Sequence, residues 1–229
     1  MVSDNPDCSD RDYLDCVPMS SYPVNLELSG QPVLVVGGGP VAARKVAGLQ
    51  SADARVTVVS PSAVREISAD PDIRWLARPY QPGEVASYRL AITATDDPAV
   101  NAEVRSDGDK ANVFVNSADD PSNCSFTLPA VARRGDLQIT VSTGGRSPGL
   151  ARWLRQRLEG QLSESYDELL VLLTEARAEA RALFGTSEIA GWDTALNDGL
   201  LELVQQNRIT EARERLWDHL GLRAQGVLA

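Results

Sequence analysis

The chain has 229 residues, 43% of them hydrophobic, which is enough to bury a core in one large domain with one or two smaller ones. Its 32 Asp and Glu outnumber 22 basic residues, of which only Lys45 and Lys110 are lysine, and the net charge of −10 argues against non-specific binding to nucleic acid. An acidic, Lys-poor surface fits a salty cytoplasm and fits GC-rich coding equally well.

Residues 1–21 are rich in Ser, Asp, Asn and Pro without periodicity and read as a flexible acidic lead-in. The opening "MVSDNPDCSDRDYLDCVP" lacks a signal-peptide core, and no apolar run approaches the ~18 residues of a membrane span. A cytoplasmic protein with no membrane partner is expected. Cys8, Cys16 and Cys124 sit at unlike spacings, so free thiols are expected and neither a disulfide framework nor a metal site is indicated.

From Tyr22 the pattern changes. Strands are predicted at Val33–Val36, Arg55–Val59, Ile73–Ala77, Arg89–Ala94 and Asn112–Val115, with a helix at Pro40–Gln50 after the first. Strands alternating with helices imply an α/β fold with a doubly wound parallel sheet, spanning residues 22–128. A small α+β module follows over 129–159, built from "AVARRG", "DLQITVST" and a helix opened by "RSPGLAR". Residues 160–229 carry apolar positions every three or four residues and form an all-helical domain. The single histidine, His219, lies in that pattern beside Trp217 and Leu220 and reads as an ordinary surface or packing residue.

The turn "VLVVGGGPVAARKV" fits the G-x-G-x-x-G/A dinucleotide fingerprint, with Ala42 in the last place. Gly37 allows the tight turn, Gly39 lets the backbone approach a pyrophosphate, and the free N–H groups at the helix start, which Pro40 opens and Val41 continues, face the anion. The acidic residue usual at the end of the second strand is missing, and Ser60-Pro61-Ser62 stands there. Ser60 or Ser62 can reach a ribose hydroxyl while Arg65 lies close by, so the residues themselves leave NAD and NADP open. Small residues at the fourth strand's end, Thr93, Ala94 and Thr95, line the crevice, whereas Asp96-Asp97-Pro98 reads as a turn and helix start.

The segment "NSADDPSNCSFTLPAVARRGDLQITVSTGGRSPGLAR", Asn116 to Arg152, departs from a generic dehydrogenase. Asp119 and Asp120 follow the fifth strand and so fall on the face where a nicotinamide would lie. Together with the glycine turn and "ATDDPAVN", this segment closely resembles the precorrin-2 dehydrogenase family, the siroheme synthase N-terminal type. Some members of that family are sirohydrochlorin ferrochelatases as well. The resemblance covers roughly Tyr22 to Gly160.

That resemblance implies a homodimer with a Rossmann-like domain, a dimerisation module at 129–159 and a helical C-terminal domain. It implies oxidation of the tetrapyrrole precorrin-2 to sirohydrochlorin with NAD, followed in bifunctional members by insertion of ferrous iron, a substrate and not a bound cofactor. Carried over position by position, the key aspartate of the "N-x-x-D-x-P" turn falls on Asp119. The cofactor contacts fall on Gly37, Gly39, Pro40, Val41, Pro61, Ser62 and Thr93–Thr95. The substrate side falls on Asn116 and the Ser142, Thr143, Gly144, Gly145, Arg146 stretch, with Thr143 where some relatives have Ser.

The chemistry fits these residue types. Dehydrogenation removes a hydride and a proton, so the protein must position the ring and accept the proton, a role for the Asp119 carboxylate; the same group can take pyrrole N–H protons while a metal enters. The substrate carries several carboxylates, which Arg133, Arg134, Arg146 and Arg152 can pair bidentately, although solvated surface or dimer salt bridges account for such residues too. "STGGRSP" reads as an anion cradle opening a helix. Two rival readings remain: a dehydrogenase whose product is metallated by another protein, and a non-catalytic NAD-sensing module.

Overall fold

The computed structural model describes residues 21–118 and 120–222. The chain divides into two compact units, the first ending at Leu128 and the second beginning at Pro129.

In the first unit, β1 (Pro32–Val36), β2 (Arg55–Val59), β3 (Arg74–Leu76), β4 (Leu90–Thr93) and β5 (Phe114–Ser117) form one parallel sheet in the order β3-β2-β1-β4-β5. The central β1 pairs on both sides, and Val33 to Val36 are all buried, as a strand covered on both faces must be. Alternation splits them between two cores. Val33 and Val35 pack with Val46 and Leu49 of α1 (Pro40–Gln50), and Leu34 and Val36 pack with Val104 of α3 (Pro98–Ala111). A single turn, α2 (Arg65–Ser68), lies between β2 and β3.

Helix α3 starts as the sequence suggests, with Asp97 accepting the Ala99 N–H at 2.9 Å and Pro98 in its first turn. Its end moves the fifth strand. Asn112 takes a left-handed conformation at φ 56° and the Val113 N–H bonds back to the Gly108 carbonyl at 2.8 Å. The strand therefore runs over Phe114–Ser117, two residues beyond the expected Asn112–Val115.

Three polar groups converge on a carboxylate behind the sheet. Asp107 accepts from Gly83 N–H at 2.7 Å, Lys110 Nζ at 3.0 Å and Tyr80 Oη at 3.2 Å. Burial pushes the Tyr80 hydroxyl well above its ordinary range, so it remains a donor.

The second unit opens with a hairpin, β6 (Ala130–Arg134) and β7 (Leu137–Val141), on which α4 (Pro148–Glu159) packs. Helices α5 (Ser165–Phe184), α6 (Trp192–Asn197), α7 (Leu200–Gln205) and α8 (Ile209–His219) follow. Leu169, Leu172, Ala176 and Ala180 of α5 meet Leu200, Leu203, Leu216 and Trp217 in one core. The hairpin and the helical region belong to one unit: Arg134 Nη2 donates to the Leu162 carbonyl at 3.1 Å, and a side chain at Gly135 would meet Asp167. The C-terminal pattern breaks into separate helices where Gly199 and Asn207 adopt positive φ of 71° and 58°. His219 bonds Asp198 at 2.9 Å, and Trp217 donates to Glu179 at 2.8 Å beneath Arg213, which also pairs with Glu175.

The Gly83 N–H first, and then Lys110, hold the Asp107 carboxyl below its ordinary value of 3.8. A lowered folded-state value contributes stability at neutral pH that disappears as pH falls through it. Asp107→Asn should therefore destabilise the protein at pH 7 and flatten the loss of stability below about pH 4. Urea unfolding at stepped pH reads both effects; an unchanged acid slope counts against the assignment.

Candidate functional site

Because β1, β2, β4 and β5 are parallel, their carboxyl ends share one edge of the first unit, and the strand order reverses between β1 and β4. The glycine turn leaves β1 at that reversal. Gly37 has φ 125°, donates to the Val59 carbonyl at 3.0 Å, and a Cβ on it would stand 2.3 Å from the Ala94 carbonyl oxygen. Gly38 is equally confined: a Cβ there would lie 2.0 Å from the Ser62 carbonyl oxygen and 2.5 Å from Ser60 Oγ. Sequence reasoning assigns Gly38 no role, although a third consecutive glycine, where the fingerprint asks for two, is the available signal.

Gly39 differs from both. It is extended (φ −83°, ψ −177°) and a Cβ would meet nothing within 4 Å. No side chain caps α1, its first turn holds no acidic residue, and Pro40 occupies the start. A turn sealed against β4 and the β2 exit but open in front of a helix N-terminus is what a pyrophosphate requires. The residues present fit a dinucleotide.

Other side chains at this edge are engaged with the protein itself. Ser60, 4% exposed, donates to the Ser62 carbonyl at 2.8 Å and accepts from Trp75 Nε1, which leaves Pro61 and Ser62 as the exposed residues of that loop. Thr93 is fully buried and donates to Ser117 Oγ at 3.0 Å; Thr95 Oγ1 bonds Asn101 Oδ1 at 2.8 Å. Ala94 contributes the backbone that faces Gly37.

Asn116 is buried on β5 and donates to the Phe126 carbonyl at 2.9 Å, holding the chain that returns alongside the strand. Asp119 lies outside the described residues, as does all but the last residue of the 1–21 segment, including Cys8 and Cys16. Of the two adjacent aspartates, Asp120 has a structural role. Its Oδ1 accepts from Ser122 N–H at 3.2 Å and Ser122 Oγ at 2.6 Å, capping the short 3-10 turn at Pro121–Asn123.

In the second unit, Ser142 to Arg146 form the turn between β7 and α4. Gly144 and Gly145 take φ of 60° and 79°. The Thr143 hydroxyl accepts the Ser147 N–H at 3.1 Å, Ser142 Oγ accepts the Gly144 N–H at 3.3 Å, and Ser147 caps α4. Arg146 and Arg152 are exposed. Arg134 is bonded to the Leu162 carbonyl and Arg133 to Gln138.

A shallow groove of about 680 Å³ opens at the other edge of the sheet, where Gly30, Asp53, Arg55, Asp72, Arg74 and Tyr88 gather at the strands' amino ends. It lies away from every residue of the glycine turn. Among the described residues no cluster of His, Cys, Asp and Glu is arranged to hold a metal, and no helix is long and apolar enough to cross a membrane.

Comparison with known proteins bears on this edge and on the hairpin. Residues 24–130 match the family described as putative NAD(P)-binding, and residues 134–161 match the family described as sirohaem biosynthesis protein central. The siroheme synthase of Thioalkalivibrio sulfidiphilus is 38% identical over 203 residues, covering 86% of this chain and 42% of that protein. Siroheme synthase 1 of Serratia proteamaculans is 35% identical over 213 residues, covering 91% of this chain and 45% of its own length. The chain thus spans less than half the length of these curated relatives. Among solved structures, the precorrin-2 dehydrogenase SirC is similar with a TM-score of 0.62 and 28% identity, over 87% of this chain and 98% of that one.

The geometry separates two glycines by experiment. Gly39→Ala should change stability by no more than about 0.5 kcal/mol yet weaken NAD(P) binding by about tenfold or more, because its methyl group enters the space left for phosphate. Gly37→Ala should damage both, since its methyl collides with the Ala94 carbonyl. Calorimetric titration with thermal melting checks the pair, and tight binding by Gly39→Ala would remove the turn from the cofactor site.

Proposed function

We propose that this chain belongs to the precorrin-2 dehydrogenase family of the siroheme synthase N-terminal type and oxidises precorrin-2 to sirohydrochlorin with NAD as acceptor, as a cytoplasmic homodimer. The observation that carries the reading is the glycine turn. It is closed by Ala94 and Ser62, open at Gly39, and lies at the edge where the fifth strand ends as the "N-x-x-D-x-P" sequence begins at Asn116.

Gly37, Gly39, Pro40 and Val41 would border the pyrophosphate, with the N–H groups of Gly39 and Val41 as donors, since that of Gly37 is spent on the Val59 carbonyl and Pro40 has none; Pro61 and Ser62 would border the adenosine ribose, and Thr93 to Thr95 would border the nicotinamide end. When bound, the dinucleotide supplies the two-electron acceptor. The absence of a carboxylate among Ser60, Pro61 and Ser62 leaves no repulsion against a 2′-phosphate, so NADP is the control that tests the choice of NAD.

The proton falls to Asp119. The chain offers two neighbouring carboxylates, and Asp120 is engaged in capping its own turn. A base at position 119 accepts the ring proton while Asn116 fixes the strand that precedes it. The tetrapyrrole's carboxylates call for cations, and the exposed Arg146 and Arg152 are the arginines of this region suited to pair with them. Self-association would use the 129–159 module, whose sheet has two strands among the described residues and whose α4 exposes Leu150 and Trp153.

The test is direct. Precorrin-2 with NAD should give sirohydrochlorin, followed by absorbance, and Asp119→Ala should reduce the rate by about 10²–10⁴-fold. Adding ferrous iron as a second substrate then separates the two members of the family: siroheme above the uncatalysed rate marks a bifunctional chain, and its absence a dehydrogenase alone. No oxidation with either dinucleotide would refute the proposal.

A further inference from the structure

We propose that Cys124 is a positioning residue for the turn that carries Asp119, with its sulfur clamping the backbone on both sides of that position. The inference rests on the reading of Asp119 as proton acceptor.

The sulfur lies where the chain folds back on β5. It accepts the Ser117 N–H at 3.1 Å, and it sits 3.2 Å from the Asp120 carbonyl oxygen and 3.3 Å from that of Ser117, toward one of which the S–H points. The Asn116 amide approaches it at 3.5 Å. One atom therefore meets the last residue of β5 and the first described residue after position 119. The Asp120 N–H closes the same span on the Ser117 carbonyl at 3.4 Å.

Independent ties hold the clamp itself in place. The Ser125 N–H bonds the Val115 carbonyl at 2.8 Å, and Ser125 Oγ accepts the Val115 N–H at 2.7 Å. Asn123 Nδ2 donates to the Asn101 carbonyl at 3.0 Å, and Asn101 Nδ2 donates to the Thr95 carbonyl at 3.0 Å. The second chain of bonds joins the turn to the β4 exit, the strand end that seals the glycine turn. The frame fixes the backbone on either side of position 119, and a fixed backbone is what a general base needs to meet a ring proton in a repeatable geometry. Serine at 124 offers a stronger donor on a shorter bond and so reaches fewer of the groups the sulfur spans.

Cys124→Ala, Cys124→Ser, Asp119→Asn and the double variant Asp119→Asn/Cys124→Ala are compared in the full chain. The readouts are kcat for precorrin-2 oxidation, KM for NAD and hydrogen exchange of the peptide covering 117–126. The proposal expects Cys124→Ala to lower kcat by about tenfold, to leave KM for NAD within about twofold, and to speed exchange in that peptide. Cys124→Ser should recover part of the rate. In the Asp119→Asn background, removing the sulfur should cost nothing further, since there is no carboxylate left to aim. A Cys124→Ala enzyme with wild-type kcat, or a further tenfold loss in the double variant, overturns the proposal. If the alanine variant does not fold, the serine variant carries the same comparisons. Wild-type turnover by Asp119→Asn would instead overturn the functional reading and the positioning role with it, whereas an inactive Asp119→Asn beside a fully active Cys124→Ala overturns the positioning role alone.

Discussion

The contact on which the first unit turns is that of Gly37 with the Ala94 carbonyl. A parallel sheet in the order β3-β2-β1-β4-β5 places β1 between two strands that run the same way, so the chain leaving β1 must escape between two other exits. It can do so only without side chains. Gly37 lies against the β4 exit and Gly38 against the β2 exit, and neither position has room for a methyl group. Gly39 is the first residue past the obstruction, and it emerges at the start of α1. The ligand-facing surface is thus a by-product of the sheet's own packing: the two glycines that let the fold close deliver the third to the place where an anion can approach.

That packing also decides what kind of recognition the edge can offer. Ser60, Thr93, Thr95 and Asn116 all carry hydrogen-bonding side chains, and each has a partner within the protein. An unpaired buried polar group would cost roughly 1–3 kcal/mol, so these bonds are needed for folding. What remains for a ligand is mostly backbone, the uncapped N–H groups of α1 above all. Backbone recognition reads shape and charge with little regard to side-chain identity. A common diphosphate suits such a surface, and discrimination of the reacting molecule has to come from a few side chains elsewhere.

The parts of this arrangement that could be read from the sequence are those governed by local periodicity. "VLVV" is a buried strand wherever it sits in a parallel sheet, and Gly-Gly-Gly-Pro can only be a turn into a helix. Asp97-Pro98 declares a helix start for the same reason. Positions that depend on a single residue's φ were harder. Asn112 in the left-handed region shifts β5 by two residues, and Gly199 and Asn207 break a helical pattern whose apolar spacing continues across them. Harder still was the direction of a hydroxyl or an amide. Ser60 and Asn116 are visible in the sequence at strand ends, yet their partners are a carbonyl two residues on and another ten residues on, which no spacing rule announces. The proposed reaction is legible only through resemblance, because a carboxylate in an Asp-Asp-Pro turn has the same local pattern whether it serves catalysis or caps a turn.

Charge imposes the last constraint. A chain with net charge −10 repels the polyanions proposed as its cofactor and substrate, and at physiological salt that repulsion fades beyond about 8 Å. Binding therefore depends on the sign of charge within a few ångströms of each contact. The first turn of α1 holds no acidic residue, which keeps the positive end of the helix unmasked. In the second unit, Arg134 is taken up by the Leu162 carbonyl, while Arg146 and Arg152 remain exposed beside a turn whose two glycines take positive φ. Surface acidity and the proposed anion recognition are compatible in one chain because the attractive groups sit next to the contact while the net charge acts from farther away. Screening weakens the diffuse repulsion far more than the short-range attraction, so higher salt shifts the balance toward binding at those two places.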